Sequence, residues 1–403
     1  MSTGTFQKVD SRNDSSVRFH EILYALLAPL LGLELIFWIV FVPIGLRGDS
    51  DFSIFYTAGT MLRTGNAHRL FDYNAELEVE RSKVSRTPAP YNHLPYEGLI
   101  FVPISKLPYR AAYIAFACCN VILAVASWWQ LKPASRAVSA LFAAYFPVSA
   151  AIADGQDSII LLAIAVLVWR LFSTQHEGLA GALLGLALFR FTLVLPIVGL
   201  LLLWKRWRFV GAFALSSASA LLFSFWLVGV GQMSLYSRHL LSLGGLAPQE
   251  AGYYSLTYAL PRMMNIRGFF VNVVQNAHIG LACTLISSLV LLIWVAWAGH
   301  GFERKQQFVL AIAFSVLVSY HMFIYDLTIL LIPMAAALEM INLKLWRPQA
   351  AVLVPLLGVP ITYLWKPYLA AIPLMAFLAL TAQCLRPRGS HVSPPVGTLE
   401  LKN

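Results

Sequence analysis

Stretch after stretch of this chain is apolar and long enough to cross a lipid bilayer. In hydrocarbon the backbone must satisfy its own hydrogen bonds, which leaves helices and closed barrels as the only spanning structures. A spanning helix takes about 20 apolar residues. Runs of this kind predict membrane helices over 22–46, 110–131, 136–153, 157–172, 209–231, 279–299, 307–322, 325–342, 350–365 and 368–385. Composition agrees: 59% of the 403 residues are apolar and only 12% charged, and the mean hydropathy is +0.69. A soluble chain is about half apolar and a quarter charged. The expected fold class is therefore all-α integral membrane.

Basic residues set the direction of the spans, because short cytoplasmic loops collect Lys and Arg. Lys8, Arg12 and Arg18 precede the first span and put the N-terminus in the cytoplasm. The loop 47–108 is then external, Lys132 and Arg136 are cytoplasmic, Asp154–Asp157 is external, and Arg170 is cytoplasmic again. The stretch 178–203 decides the rest. As one full span it would turn Lys205, Arg206 and Arg208 outward and invert every later cluster. As a re-entrant hairpin turning near Arg190 it keeps those three inside, together with Arg304 and Lys305, Lys344 and Arg347, and Arg386 and Arg388. Gly178, Gly181, Gly185 and Pro196 suit close packing and a broken helix. The expectation is about ten full transmembrane helices plus one re-entrant helical hairpin.

The chain then divides into a cytoplasmic tail (1–20), a polytopic membrane domain (21–386) with external loops 47–108 and 232–278, and a Pro/Ser-rich tail (387–403) expected to be disordered. Within the first loop, Phe52, Phe55, Tyr56, Gly59 and Leu62 follow helical spacing, predicting an amphipathic helix over about 52–64 that Gly65-Asn66 stops. Adjacent Cys118 and Cys119, with Cys283 and Cys384 in apolar spans, give no disulfide framework. The net charge of +10 is scattered between spans, so topology explains it and nucleic acid does not. No cleavage site follows the first apolar run, which reads as a retained signal anchor.

This topology gathers ionisable and polar groups at or near the external face: Asp49, Asp51, Glu97, Asp154, Gln156, Asp157, Arg262, Arg267, His321 and Asp326, with Arg190 approaching from within the membrane. Such groups are costly at a bilayer and usually functional. A carboxylate base and cationic groups are what transfer from an anionic phosphate-linked donor to a hydroxyl requires. Each also has a plainer reading. Asp51 or Asp49 can cap the helix at Phe52, Asp154-Gly155-Gln156 can be a polar turn, Arg190 can snorkel to an interface, and His321 with Asp326 can be an interfacial pair. No metal-ligand spacing, Walker loop or G-x-S-x-G is present, so no cofactor or metal is expected.

Several of these segments resemble glycosyltransferase family 87, polytopic GT-C enzymes related to polyprenol-phosphate-mannose-dependent mannosyltransferases. Asp51-Phe52-x-x-Phe55-Tyr56-x-Ala58-Gly59, Gly65 and Leu70-Phe71-Asp72 are similar to the family's first external loop. His93-Leu94-Pro95-Tyr96-Glu97-Gly98-Leu99 is similar to its aromatic-Pro-Pro segment. Asp154-Gly155-Gln156-Asp157, Gly181 through Trp207, and Ser319-Tyr320-His321 with Tyr325-Asp326-Leu327 follow in the family's order, from about 45 to 335. Two positions depart: Arg190 stands where the family usually has Lys, and Leu94 replaces a usual Pro.

The resemblance implies a GT-C-type bundle in the bacterial plasma membrane with its active site on the external face. It implies a polyprenyl-phosphate sugar as donor, mannose being the family default, and a glycolipid or envelope-glycan hydroxyl as acceptor. Asp51 would be the catalytic base of an inverting transfer. His321 and Arg190, with Arg267, would neutralise the departing phosphate. Gln156 would bind sugar or position the loop, and Asp49, Tyr56, Glu97, Asp154 and Asp326 would complete the substrate site. A transporter or flippase is the alternative; it predicts internal repeats and a midplane site, and the sequence has no repeat. A membrane scaffold without chemistry predicts that Asp51→Asn leaves function intact.

Overall fold

The computed structural model describes residues 12–84, 90–131, 137–243, 259–340 and 346–386. Among these residues the chain forms only helices and their connections. Helix α1 (Arg12–Leu46) leads into the short α2 (Phe52–Arg63), α3 (Tyr73–Lys83) and α4 (Pro95–Phe101) of the first loop, followed by α5 (Tyr109–Leu131). Then come α6 (Ala137–Ala144), α7 (Phe146–Asp154), α8 (Ser158–Ser173), α9 (Glu177–Gly185), α10 (Phe191–Leu203), α11 (Trp207–Val228) and α12 (Val230–Leu243). The last third holds α13 (Ile266–Val274), α14 (Ala277–Ala298), α15 (Arg304–Val318), α16 (Leu331–Leu338), α17 (Trp346–Trp365) and α18 (Ala371–Leu385).

Among the described residues, six helical segments are long and apolar enough to cross a membrane: Glu21–Leu46, α5, α11, α14, α17 and Pro367–Leu385. A seventh is gained if the bent pair α9–α10 counts as one span. The chain is thus a multi-pass membrane protein. Leu35, Ile36 and Ile39 of α1 and Leu285, Ile286, Leu289, Val290 and Ile293 of α14 are exposed, an apolar surface suited to lipid contact.

The expected count of ten full spans is not met by helix length. The run 136–153 breaks at Tyr145, whose extended backbone precedes Phe146-Pro147, since proline disfavours helix before it. The run 325–342 opens as a 3-10 helix (Ile324–Leu330) before α16. Helices α8 and α15 have 16 and 15 residues. These shorter pieces sit inside the bundle: every residue from Gln307 to Leu317 is buried, as is all of α16. Broken helices are tolerated where protein covers them.

The stretch expected to form a re-entrant hairpin is bent at its middle and is not one straight helix. Helices α9 and α10 meet at a 69° bend. Their outer ends return to the same end of the bundle: Arg304 reaches Glu177 at 3.8 Å, and Arg206 Nε donates to Gln307 Oε1 at 2.8 Å. Lys305 lies there too, 3.5 Å from Glu339 and over the Trp169 ring. At the tip, Tyr96 of α4 holds the turn by donating to Leu186 O and accepting from Phe189 N, both at 2.9 Å. Two glycines let α9 press on α11. A Cβ on Gly181 would stand 2.1 Å from Phe209 O, and one on Gly185 would stand 2.1 Å from Ser216 Oγ. Close approach of this kind is what small residues supply in membrane packing.

Helix α2 forms where the sequence predicts an amphipathic helix over 52–64, but neighbouring elements cover it on every face and not on one. Residues Phe52 to Met61 are all buried, and it ends at Thr64, before Gly65 at φ +82°. The cysteines are unpaired. Lys8, Lys132, Arg136, Lys344, Arg388, residues 244–258 of the expected second external loop and the Pro/Ser-rich tail lie outside the described residues.

Candidate active site

Opposite the Arg206–Arg304 end, a cavity of about 600 Å³ opens where α2, the α7–α8 turn, the hairpin tip and the 319–326 segment converge. Its polar wall holds Asp51, His93, Asp154, Gln156, Arg190 and His321. Its apolar wall holds Phe37 and Phe41 of α1 with Tyr363 and Leu364 of α17. Phe37 lies nine residues before the end of α1, which at 1.5 Å per residue is about 13 Å along the helix. The cavity therefore runs from a charged head down between two membrane helices.

Asp51 occupies the N-cap position of α2, yet its side chain makes no capping bond. Its backbone N–H donates to Asp154 Oδ1 at 3.2 Å, and its carboxylate accepts from Gln156 Nε2 and from Tyr325. Gly155 makes this meeting possible. At φ +68° it takes the left-handed turn that ends α7, and a Cβ there would stand 2.5 Å from Phe52 Cβ. Removal from water raises the Asp51 pKa, opposed in part by the charge of Arg190.

Arg190 is the cationic hub. Its Nη2 donates to Gln156 Oε1 at 2.6 Å and to Asp157, its Nε lies 2.8 Å from Asp157 Oδ1, and its Nη1 lies 3.1 Å from Asp326. Bidentate pairing of this kind is specific to guanidinium. It replaces the snorkelling reading, because Arg190 is directed into the protein. Asp326 also accepts from Phe323 N at 2.9 Å and from Ser158 Oγ at 3.3 Å.

Glu97, in the first turn of α4, is wholly buried. Burial first, and then the adjacent Asp157 carboxylate, push its pKa well above the carboxylate range. His93 Nδ1 lies 2.9 Å from Glu97 Oε2 and 3.8 Å from Asp157 Oδ2, while burial pulls the imidazole down to about 4. The sequence contains no recognisable metal-ligand spacing, yet the fold brings one ligand atom each of His93, Glu97 and Asp157 within 4.8 Å of one another.

Other expected positions fall elsewhere. Tyr56 is buried away from the cavity, donating to Leu107 O at 2.9 Å and packed edge-on against Tyr109. Its part is to seat α2 on the start of α5. Asp49 is exposed, two residues before the cap of α2, and does not line the cavity. Arg267 donates to Tyr320 O at 3.1 Å and stacks over the Tyr320 ring at 4.0 Å. With Asn265, which donates to Ser319 O, and Met264 N, which donates to Met322 O, it fastens the backbone that carries His321. His321 lines the cavity with its ring edge-on to Phe323 at 4.5 Å. His93 and Tyr325 join the site without having been singled out, and Asp157, noted only as one of the external-face polar groups, joins it as a partner of Arg190; all three lie in segments carrying the family resemblance. Their convergence depends on helix ends that no local pattern brings together.

The fold and site define a polytopic helical membrane protein with a carboxylate- and arginine-lined cavity at one end of its bundle. The model of glycosyltransferase family 87 matches residues 95–324, more than half of the chain, and the protein belongs to that family. No curated protein and no solved structure matches it. The matched residues take in Glu97, Gln156, Arg190 and His321; Asp51, Tyr325 and Asp326 lie outside them.

Proposed function

We propose that this glycosyltransferase moves a hexose, mannose by family default, from a polyprenyl-phosphate donor to a hydroxyl of a lipid-linked or envelope-glycan acceptor. The reaction inverts the anomeric centre and takes place on the external face of a bacterial plasma membrane. The observation that carries this reading is the position of Asp51: a carboxylate at a helix N-terminus that caps nothing and is instead turned into a cavity by Gln156.

In this reading Asp51 takes the proton from the acceptor hydroxyl as its oxygen attacks the anomeric carbon. The bond from that carbon to the phosphate oxygen breaks, and the phosphate leaves with the electron pair. Arg190, beside Gln156, stabilises the charge that develops on the phosphate. His321 donates a hydrogen bond to the same group, and Gln156 holds the base and the guanidinium in register. Asp154 and Asp326 orient Asp51 and Arg190 respectively. The polar head of the cavity suits a phosphosugar, and the channel between α1 and α17 suits an isoprenoid chain. The clustering of Lys205, Arg206, Arg304 and Lys305 at the opposite end supports an external site.

The test uses purified protein in lipid nanodiscs with a panel of polyprenyl-phosphate hexoses and membrane glycolipid acceptors. Transfer from one donor, abolished by Asp51→Asn, is the expected result. Undiminished transfer by Asp51→Asn would remove Asp51 as base. Absence of transfer with every donor, together with translocation of labelled lipid in vesicles, would establish a transporter instead.

A further inference from the structure

We propose that His93, Glu97 and Asp157 bind one divalent first-row metal ion, such as Mn2+ or Zn2+, in the wall of the cavity beside Arg190. Two helix ends supply the ligands. His93 lies just before α4, Glu97 in its first turn, and Asp157 at the N-terminus of α8. One imidazole and two carboxylates form a donor set suited to such ions.

The spacing fits. Two ligands about 2.1 Å from a metal and at right angles to one another stand roughly 3 Å apart. The separation of His93 Nδ1 from Glu97 Oε2 is 2.9 Å, and that from Asp157 Oδ2 is a wider 3.8 Å. A second observation points the same way. Glu97 is wholly buried, and neither of its oxygens nor His93 Nδ1 completes a hydrogen bond of good geometry, although Tyr91 and Asp157 stand beside the carboxyl. Leaving buried polar atoms unmatched costs free energy, and a shared cation satisfies all three at once.

Arg190 does not occupy the place. Its closest approaches are to Asp157 Oδ1, with Nε 3.0 Å from Oδ2. Each carboxylate oxygen offers two lone-pair directions, so Oδ2 keeps one facing His93. Charge is compatible with the ion as well: Asp157 and Asp326 pair with Arg190, Arg262 stands elsewhere on the cavity wall, and a bound cation would take the place of the proton that burial keeps on Glu97. If the cavity takes a phosphosugar, which rests on the function proposed above, the ion adds positive charge beside Arg190 on the wall that meets the phosphate.

The experiment needs no donor. Full-length protein in nanodiscs, stripped with EDTA, is titrated with Mn2+ while the free-ion electron paramagnetic resonance signal is followed, and then with Zn2+ in competition. One equivalent bound by wild type, weakened at least about tenfold in both Glu97→Gln and His93→Gln, is the expected result. A metal-dependent rise in Tm in wild type, absent from both variants, is expected alongside it. Absence of binding to wild type, or equal binding by both folded variants, would overturn the proposal and leave a proton shared by Glu97 and Asp157 as the neutralising device. A protein that binds the ion but transfers no sugar would refute the proposed function and spare the metal site; transfer undiminished in fully stripped protein that binds no ion would do the reverse.

Discussion

Asp51 and Arg190 are joined through the two ends of one amide: Gln156 Nε2 donates to the Asp51 carboxylate, and Gln156 Oε1 accepts from Arg190 Nη2 at 2.6 Å. The amide is fixed from behind, since its own backbone carbonyl accepts from Asn120 Nδ2 at 3.0 Å. Asp51 and Arg190 therefore share one rigid spacer, and a change at either is felt by the other.

Asp51→Asn removes the base while preserving shape. The expected fall in kcat is about 10²- to 10⁴-fold, with KM nearly unchanged, read from initial rates in nanodiscs. Because burial raises the Asp51 pKa, and the base works only when ionised, kcat/KM falls on the acid side. That limb begins at a higher pH than an ordinary carboxylate would give. A profile flat down to pH 4 refutes the assignment.

Arg190→Lys keeps the charge and loses the fork. A lysine cannot reach Asp157, Asp326 and Gln156 together. A charge-assisted hydrogen bond contributes roughly 1.5–3 kcal/mol, so kcat/KM drops by about tenfold or more for each one lost. Wild-type kinetics from Arg190→Lys would show that charge alone suffices.

Gly155→Ala tests the turn that brings Gln156 to Asp51. The substitution carries about 1 kcal/mol or more of left-handed strain, and its Cβ meets Phe52. Tm falls by several degrees, and kcat falls with it, because the start of α2 must shift. Gly65→Ala, also at positive φ but with open space around its Cβ position, lowers Tm less and leaves kcat intact.

Glu80 makes stability depend on pH. Burial lifts its pKa to about 8 from an ordinary value of 4.5. A carboxyl whose folded pKa is raised favours folding only while it is protonated. Stability thus falls as pH rises from about 4.5 to about 8, and levels off above. Thermal unfolding between pH 5 and pH 9 is expected to show this decline, and Glu80→Gln to flatten it. A stability that rises with pH over that window would contradict the burial of Glu80.

The hairpin predicts where a membrane-impermeant thiol reagent reaches. With the native cysteines replaced, Lys205→Cys is labelled only from the cytoplasmic side and His278→Cys, exposed in the first turn of α14, only from outside. Labelling of Lys205→Cys from outside breaks the topology.

Helix α2 was legible in the sequence because its apolar spacing and the Gly65 stop are local signals. The hairpin was legible for a different reason: a single assumption kept four basic clusters on one side, and membrane topology is a global charge constraint. Span count was less legible. Tyr145 and the 3-10 stretch at Ile324–Leu330 interrupt apolar runs that read as continuous, and hydropathy does not register a break that neighbouring helices shield. Among site residues, Asp51, Gln156 and Arg190 came out at the cavity, whereas Tyr56 and Arg267 turned to backbone carbonyls. Side-chain direction depends on what packs against the helix, and no single-residue pattern carries it. The triad of His93, Glu97 and Asp157 was invisible for the same reason: two ligands are four residues apart and the third is sixty residues further on.

The re-entrant hairpin also orders the birth of the protein. Both of its feet stand at one end of the bundle while its tip carries a guanidinium deep among other helices. During synthesis Arg190 emerges after Asp157 but long before Asp326. Until that last carboxylate is made, the tip has only part of its counter-charge. Asp326 in the 319–326 segment completes its pairing, so a chain truncated before Asp326 would hold Arg190 through Asp157 and Gln156 alone.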